Sequence, residues 1–407
     1  MRRRFAAALA AKSSLAALFI AATPVSAETF TIAVIPDPQG YNDVRAPQPA
    51  SSDIFVQQMQ YVVDQREAKN IVFTAFVGDL VEHGDGVFHV DARTKLADSV
   101  TVSPPQMAGN YKLVDSRFEW DSANRAISIL SRSPIPFGLV PGNHDYDDGY
   151  WAHLQDKGWV QQGSDFPSAT PRDHVSGRVW NLYFGPESRH YLNKPWYGGS
   201  FNQGLNSYQF FNGGGKRFLH FSFEMQPSQA VLNWAQGVID ANPGLPVIMS
   251  THDWLNPRYK DKKRSDDYDV YFHDSAHLTP DQIWDRFVRK NSRIFLILSG
   301  HLWTEPKDGV SQGEEVRIDK NDAGYPVYQV LQDYQANTVG PNGQPRSVPG
   351  GAGWLRFIEF DTEKRKMHFY TYSTLIGRHA GRDGFLPFGT PAEYSDFKID
   401  FPPQLLK

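Results

Sequence analysis

Aspartate, asparagine and histidine recur in this chain at five places where an apolar run stops. The places are Asp37-Pro38-Gln39, Gly78-Asp79, Gly142-Asn143-His144-Asp145, Thr251-His252-Asp253 and Gly300-His301. Carboxylate, amide and imidazole groups together form a donor set for a divalent metal such as Mn, Fe or Zn. The chain has no Cys, so a metal site must be assembled from such groups and water. Two ions held close together can clamp the attacking and leaving oxygens of a displacement. That chemistry requires one bridging carboxylate and separate ligands for each ion. Taken singly, His252 or His301 would read as a core histidine, and Asp37 or Asp79 as a turn former. Taken in series, each after an apolar run, they read as ligands.

The runs before these residues must position them. Phe30 to Ile35, Ile71 to Val77, Phe137 to Val140, Val247 to Ser250 and Ile294 to Leu298 read as buried strands. Strands that end in Gly, Asn, His and Asp bring polar side chains to one sheet edge, where open α/β sheets bind ligands. Helix-like spacing separates the strands. Ser51-Ser52-Asp53 reads as an N-cap ahead of Phe55, Met59, Val62 and Val63, and further helices are expected near 116–131, 228–240 and 280–290. Residues 84–112 read as an insertion and 146–215 as a long irregular excursion, the kind of loop that walls or lids a site. Trp196, Tyr197 and Phe201 are expected to pack that excursion, and the charged run 260–269 to be a solvated loop. Beyond residue 320 the pattern turns to β: a strand at 325–331, then a hairpin of 355–360 and 367–372.

Five short motifs in this order resemble the calcineurin-like metallophosphoesterases. That family runs D-x-H, G-D, G-N-H-D/E, a lone His, then G-H-x-H. Asn206-Ser207-Tyr208, Asp333-Tyr334-Gln335 and Gly353-Trp354-Leu355-Arg356 extend the resemblance to a bacterial exported branch with D-x-Q as its first motif and G-H lacking the usual final His. Glu82 stands where purple acid phosphatases carry Tyr, which sets that group aside. The resemblance implies an α/β fold, a four-layer metallophosphatase sandwich of two mixed β-sheets flanked by helices. The C-terminal strands are expected to complete the second sheet of a single domain, 28–407. It implies hydrolysis of a phosphomono- or diester by attack of metal-bound hydroxide. Asp37 and Gln39 would hold the first ion, Asp79 would bridge, and Asn143, His252 and His301 would hold the second. His144 would stand at the leaving oxygen, with Asp145 orienting its ring.

Two positions depart from the family. Gln39 replaces a His, and Trp303 stands where the final His would be and has no lone pair for a metal. Three arrangements are compatible with this: a weak first site filled together with substrate, a substitute ligand such as Glu305, Gln335 or His83, or a single-ion site. His83, Trp303 and Gln335 are candidate substrate or supporting residues, with Trp303 read as pocket wall. A non-enzymatic alternative is a degenerate protein that binds one metal and a phosphate-bearing ligand without turnover.

Composition narrows the setting. Arg2-Arg3-Arg4, the apolar stretch Phe5 to Ala22 and Val25-Ser26-Ala27 have the layout of a cleaved signal peptide, 1–27, by the general or the twin-arginine route. Lys12 and Ser13-Ser14 interrupt the stretch and leave too short a span for an anchor. The expected location is therefore periplasmic or secreted, with no stable membrane anchor after cleavage. Removal of 1–27 leaves 37 basic against 45 acidic side chains, a formal net charge near −8. Such a balance argues against sequence-independent nucleic-acid binding. The expected partner is a small-molecule phosphoester.

Overall fold

The computed structural model describes residues 29–43, 50–82, 84, 87–91, 111–115, 117–146, 177–258, 261–266, 276–303, 313–335, 351–383 and 392–406. The signal-peptide segment, His83 and Glu305 lie outside these residues.

Two seven-stranded mixed sheets form the centre of the fold. In the first, β1 (Phe30–Ile35), β2 (Ile71–Phe76) and β5 (Phe137–Gly138) run parallel. β13 (Trp354–Asp361) pairs antiparallel with the other side of β1, followed by β14 (Lys366–Ser373). β15 (Arg378–His379) and β16 (Asp396–Asp400) both pair with β14. In the second sheet, β8 (Lys216–Ser222), β9 (Val247–Ser250), β10 (Ile294–Ser299) and β12 (Pro326–Gln332) run parallel. Antiparallel strands close it at both sides: β11 (Glu314–Lys320) at one, β7 (Asn206–Gly213) and β6 (Tyr197–Phe201) at the other. A separate two-stranded ribbon joins β3 (Val87–Asp91) to β4 (Tyr111–Asp115).

Strand periodicity explains the layering. Along β1, Ile32 and Val34 enter a core with Phe73, Phe211, Phe218, Leu296 and Phe360, which fills the space between the sheets. Ala33 and Ile35 point the other way, into a core shared with the helices Ala50–Asp64 and Arg117–Ser131. A third core joins the outer face of the second sheet to the helix Gln229–Ala241 and the helical segment Pro280–Val288. A strand apolar on both faces is the mark of a covered parallel sheet. Phenylalanines dominate the central layer: Phe211 stacks on Phe218 at 4.8 Å and Phe30 on Phe360 at 4.6 Å. Each such ring contributes about 1.5–3 kcal/mol through burial. The order helix, sheet, sheet, helix is the four-layer α/β architecture expected.

The structure corrects several local readings. The C-terminal strands do not complete the second sheet alone. β12 joins it, but β13 pairs with β1 in the first, where Ile358 and Phe360 meet Ile32 and Phe30 across the ladder, and β14 pairs with β13. Within the supposed irregular excursion, the described part holds a helix, Arg178–Phe184, and the paired strands β6 and β7. Asn and Gly in those strands obscured the alternation. Ser51-Ser52-Asp53 lies in the first turn of its helix, not ahead of it. The helical segment after residue 279 begins on a built cap: Thr279 Oγ1 accepts from Gln282 N at 3.3 Å, and Gln282 Oε1 accepts from Thr279 N at 3.1 Å. Trp196, Tyr197 and Phe201 do pack, against Phe137, Tyr191 and Trp234 respectively.

Candidate metal centre

The carboxyl ends of β1, β2, β5, β9 and β10 converge, and the five motifs meet there. Asp37, Asp79 and His252 are fully buried, and each offers an atom within 4.8 Å of the other two. Three candidate ligands occupy the left-handed region that side chains rarely adopt: Asp37 at φ 32°, Asp79 at φ 52° and His301 at φ 76°. Such strain persists where surrounding structure holds it, and it gathers at functional sites. Here it is the means by which a strand end turns its side chain inward.

Close approach explains two motif glycines. A Cβ on Gly142 would lie 2.0 Å from Asp79 Oδ1, and one on Gly300 would lie 2.1 Å from Asp37 Oδ2. Each is pressed against a carboxylate from a different motif, and only a missing side chain permits it.

His252 is the central ring. Its Nδ1 sits 2.8 Å from the Val77 carbonyl oxygen and donates to it, which leaves Nε2 as the lone-pair nitrogen of the neutral ring. That Nε2 faces Asp79 Oδ2 at 3.2 Å and Asn143 Oδ1 at 3.1 Å. Lone pairs meeting in this way repel unless a positive charge stands among them, either a second ring proton or a metal ion. A histidine fixed through a backbone carbonyl is the usual arrangement of a metal ligand. Asp37 Oδ1 accepts the His301 backbone N–H at 3.0 Å, and the His301 ring lies 4.8 Å from that of His252. Asp37 Oδ2 and Gln39 Oε1 are buried without a hydrogen-bond partner among the described residues. These two oxygens are of the kind a hard or borderline cation takes, so the residues present fit a divalent metal.

Electrostatics points the same way. Burial raises Asp37 well above the usual carboxylate range, and the charges of Asp333 and Asp79 add to the effect. Burial also works against ionised Asp79, but the His252 and His144 imidazoles outweigh it and hold this carboxyl low. Burial, then the charge of Asp79, raises Asp145. Buried carboxylates that oppose one another's ionisation are relieved by a cation among them.

Not every expected role is met. Asp145 does not orient the His144 ring. Its oxygens accept the backbone N–H groups of Leu80 at 2.8 Å, Val81 at 3.1 Å and Gly142 at 2.8 Å, so it ties the G-N-H-D turn to the loop after β2. The His144 ring is instead held at Nδ1 by the Glu82 carbonyl oxygen at 2.8 Å, with Glu82 Oε2 at 3.8 Å. Burial lowers the His144 pKa, but Glu82 and Asp79 outweigh it and push it up to about 9. Trp303 is partly buried, its Cβ close to Gly313 before β11. Gln335 reaches the cluster and touches Gln39. Sequence reasoning missed Glu82, and it missed Asp333 as a functional group. Asp333 stands after β12 in the same way that the other carboxylates follow their strands, and that placement was the available signal.

A family model described as calcineurin-like phosphoesterase matches residues 30–304. The uncharacterized protein YvnB of Bacillus subtilis (strain 168) is 23% identical over 393 residues, covering 94% of this chain and 23% of that protein. The chain thus spans less than a quarter of that relative's length. Two solved structures are similar at 12% identity and a TM-score of 0.39. One is GAP50, the anchor in the inner membrane complex of Plasmodium, with 86% of each chain covered. The other is a dimetal phosphatase from Danio rerio, with 92% of this chain and 99% of that one covered. With a family match over most of its length, and a buried Asp-Asp-His cluster suited to divalent metal, the chain belongs to the calcineurin-like phosphoesterases.

Proposed function

We propose that this protein is an exported, metal-dependent phosphoesterase acting on a small phosphomono- or diester. The observation that carries the reading is the convergence of Asp79 Oδ2, Asn143 Oδ1 and His252 Nε2, with the partnerless oxygens of Asp37 and Gln39 beside them. Asp37 and Gln39 would hold one ion, Asn143, His252 and His301 the other, and Asp79 would serve both. Bound Mn, Fe or Zn would supply Lewis-acid polarisation of the phosphoryl oxygens and an activated water. The chain's own contribution is orientation and a proton. The Glu82 carbonyl fixes the His144 ring and the Glu82 carboxylate favours its protonated form, the state from which it can protonate a leaving oxygen.

The reading is tested by metal analysis of the purified protein, with turnover of bis-p-nitrophenyl phosphate and p-nitrophenyl phosphate across Mn, Zn, Fe and Mg. Chelator should abolish turnover and Mn restore it. Asp79→Asn should lower both metal content and turnover. Full activity in metal-free protein would refute the reading, and tight metal with no turnover would favour the binding-protein alternative.

Export is supported by Arg2-Arg3-Arg4, the apolar stretch and Val25-Ser26-Ala27. No helix among the described residues is long and apolar enough to cross a membrane. N-terminal sequencing of protein from the native host should begin at or near Glu28. An intact Met1 in the cytoplasmic fraction contradicts it.

A further inference from the structure

Gln39 is a weak neutral ligand, and a glutamine can bind a cation only through its oxygen. Its amide must therefore be held the right way round. Gln39 Nε2 donates to Asp79 Oδ2 at 3.1 Å and to Gln335 Oε1. The Gln335 amide is in turn set by Asp333. Gln335 Nε2 donates to Asp333 Oδ2 at 2.9 Å, and the Gln335 backbone N–H donates to Asp333 Oδ1 at 2.9 Å. Asp333 is completely buried, and Gln39 is nearly so.

The sense of this chain of bonds follows from its two ends. The backbone N–H of Gln335 can only donate, so it occupies one oxygen of Asp333. The other oxygen takes the Gln335 NH2 group, which turns Gln335 Oε1 toward Gln39. That oxygen requires a donor, so Gln39 presents Nε2 to it. Gln39 Oε1 is then left facing away from both Gln335 and Asp79, buried and without a partner among the described residues. The Asp79 carboxylate enforces the same sense from the other side.

We infer that Asp333 is a positioning residue for the first metal ion: through Gln335 it fixes the Gln39 amide with its oxygen turned to the cation, and so offsets the imidazoles missing at positions 39 and 303. This rests on the metal-dependent reading above and deepens it. It predicts a complete first site in a chain whose sequence looks deficient there.

The measurement is Mn titration of the metal-free full chain, following free Mn by its paramagnetic resonance signal. Wild type should take up two ions. Asp333→Asn keeps the shape but has one acceptor oxygen for two donors, so the relay loses its sense. The weaker ion should bind about tenfold to a hundredfold less tightly, the range for loss of a group that orients a ligand. The tighter ion should be retained and serves as an internal check on folding. Gln335→Met removes the relay amide without adding charge and should cause a similar loss. In a Gln39→His background the imidazole needs no relay, so adding Asp333→Asn should change affinity less than about threefold if Asp333 acts only through Gln39.

Unchanged binding of both ions in Asp333→Asn and Gln335→Met would overturn the inference. So would an equal loss from Asp333→Asn in both backgrounds, which would give Asp333 another route of action. A single ion in wild type, with turnover intact, would sink the inference alone. No Mn binding at all would remove the functional reading with it.

Discussion

At the scale of single residues, the site shows how little freedom its side chains retain. Asp145 spends both oxygens on three backbone N–H groups, and His252 spends one nitrogen on the Val77 carbonyl. His144 differs, because its Nδ1 is tied to Glu82 while its carbon frame stays at the edge of the buried cluster, with 12% of the side chain exposed. A residue held but not enclosed suits contact with a substrate. His144→Ala should therefore leave metal content nearly unchanged and lower turnover about a hundredfold or more, the contribution of a positioned proton donor. The loss should be smaller for a p-nitrophenyl ester, whose leaving group needs little protonation, than for an alkyl ester. Equal turnover of wild type and variant on the alkyl ester would remove His144 from the chemistry.

At the scale of elements, legibility followed burial. β1 and β9 were readable because near-continuous apolar runs bounded by polar residues admit few other structures, and the hairpin of β13 and β14 because aromatic and aliphatic residues fill two short strands around a polar turn. β7 was not, since Asn-Ser-Tyr-Gln-Phe-Phe-Asn-Gly mixes its faces and lies within a stretch rich in Gly and Asn. β11 was missed for a related reason: Glu314, Glu315, Arg317 and Asp319 look like a solvated loop. Two of these charges are themselves buried and paired. Glu314 forms an ion pair with Arg356 of β13 and accepts from Tyr334 Oη at 2.6 Å and Thr371 Oγ1 at 3.0 Å. Glu315 lies 3.1 Å from Lys262. The first network joins the two sheets and grips Tyr334 between Asp333 and Gln335. The Tyr and Arg of the late sequence motifs are thus explained by the support they give to the segment that orients Gln39. The five motifs of the candidate site were legible because each couples a strand end to a metal-type donor. The relay through Asp333 was not, because hydrogen-bond direction is set by contacts between residues almost three hundred positions apart.

At the scale of the whole molecule, the layer between the sheets holds a histidine that the site does not use. His220 on β8 is completely buried, with Nδ1 2.9 Å from Gln209 Oε1, Nε2 2.8 Å from Ser250 Oγ and its ring 4.6 Å from Phe73. Burial lowers its pKa to about 3, against about 6.5 in the unfolded chain. The unfolded state therefore binds a proton that the folded state refuses over that whole interval. Stability from the neutral ring is fully present above pH 6.5 and is lost as pH falls toward 3, at up to about 1.4 kcal/mol per pH unit. His190 adds a smaller effect in the same direction, because burial and the Arg189 cation lower it to about 4. Burial raises the carboxyls of Asp37 and of Asp333, the latter to about 6, and these favour the folded state on acidification; the wild-type curve alone therefore mixes opposite signs. His220→Gln separates them, since an amide can bond Ser250 but cannot take up a proton. Urea unfolding of both proteins at fixed Mn should show the variant less stable at pH 7.5. The gap should close by about 2 kcal/mol on reaching pH 5, because only the wild type pays to keep that ring neutral. Parallel stability curves for the two proteins between pH 7.5 and 5 would mean that His220 takes up its proton inside the fold and that the central layer tolerates the charge.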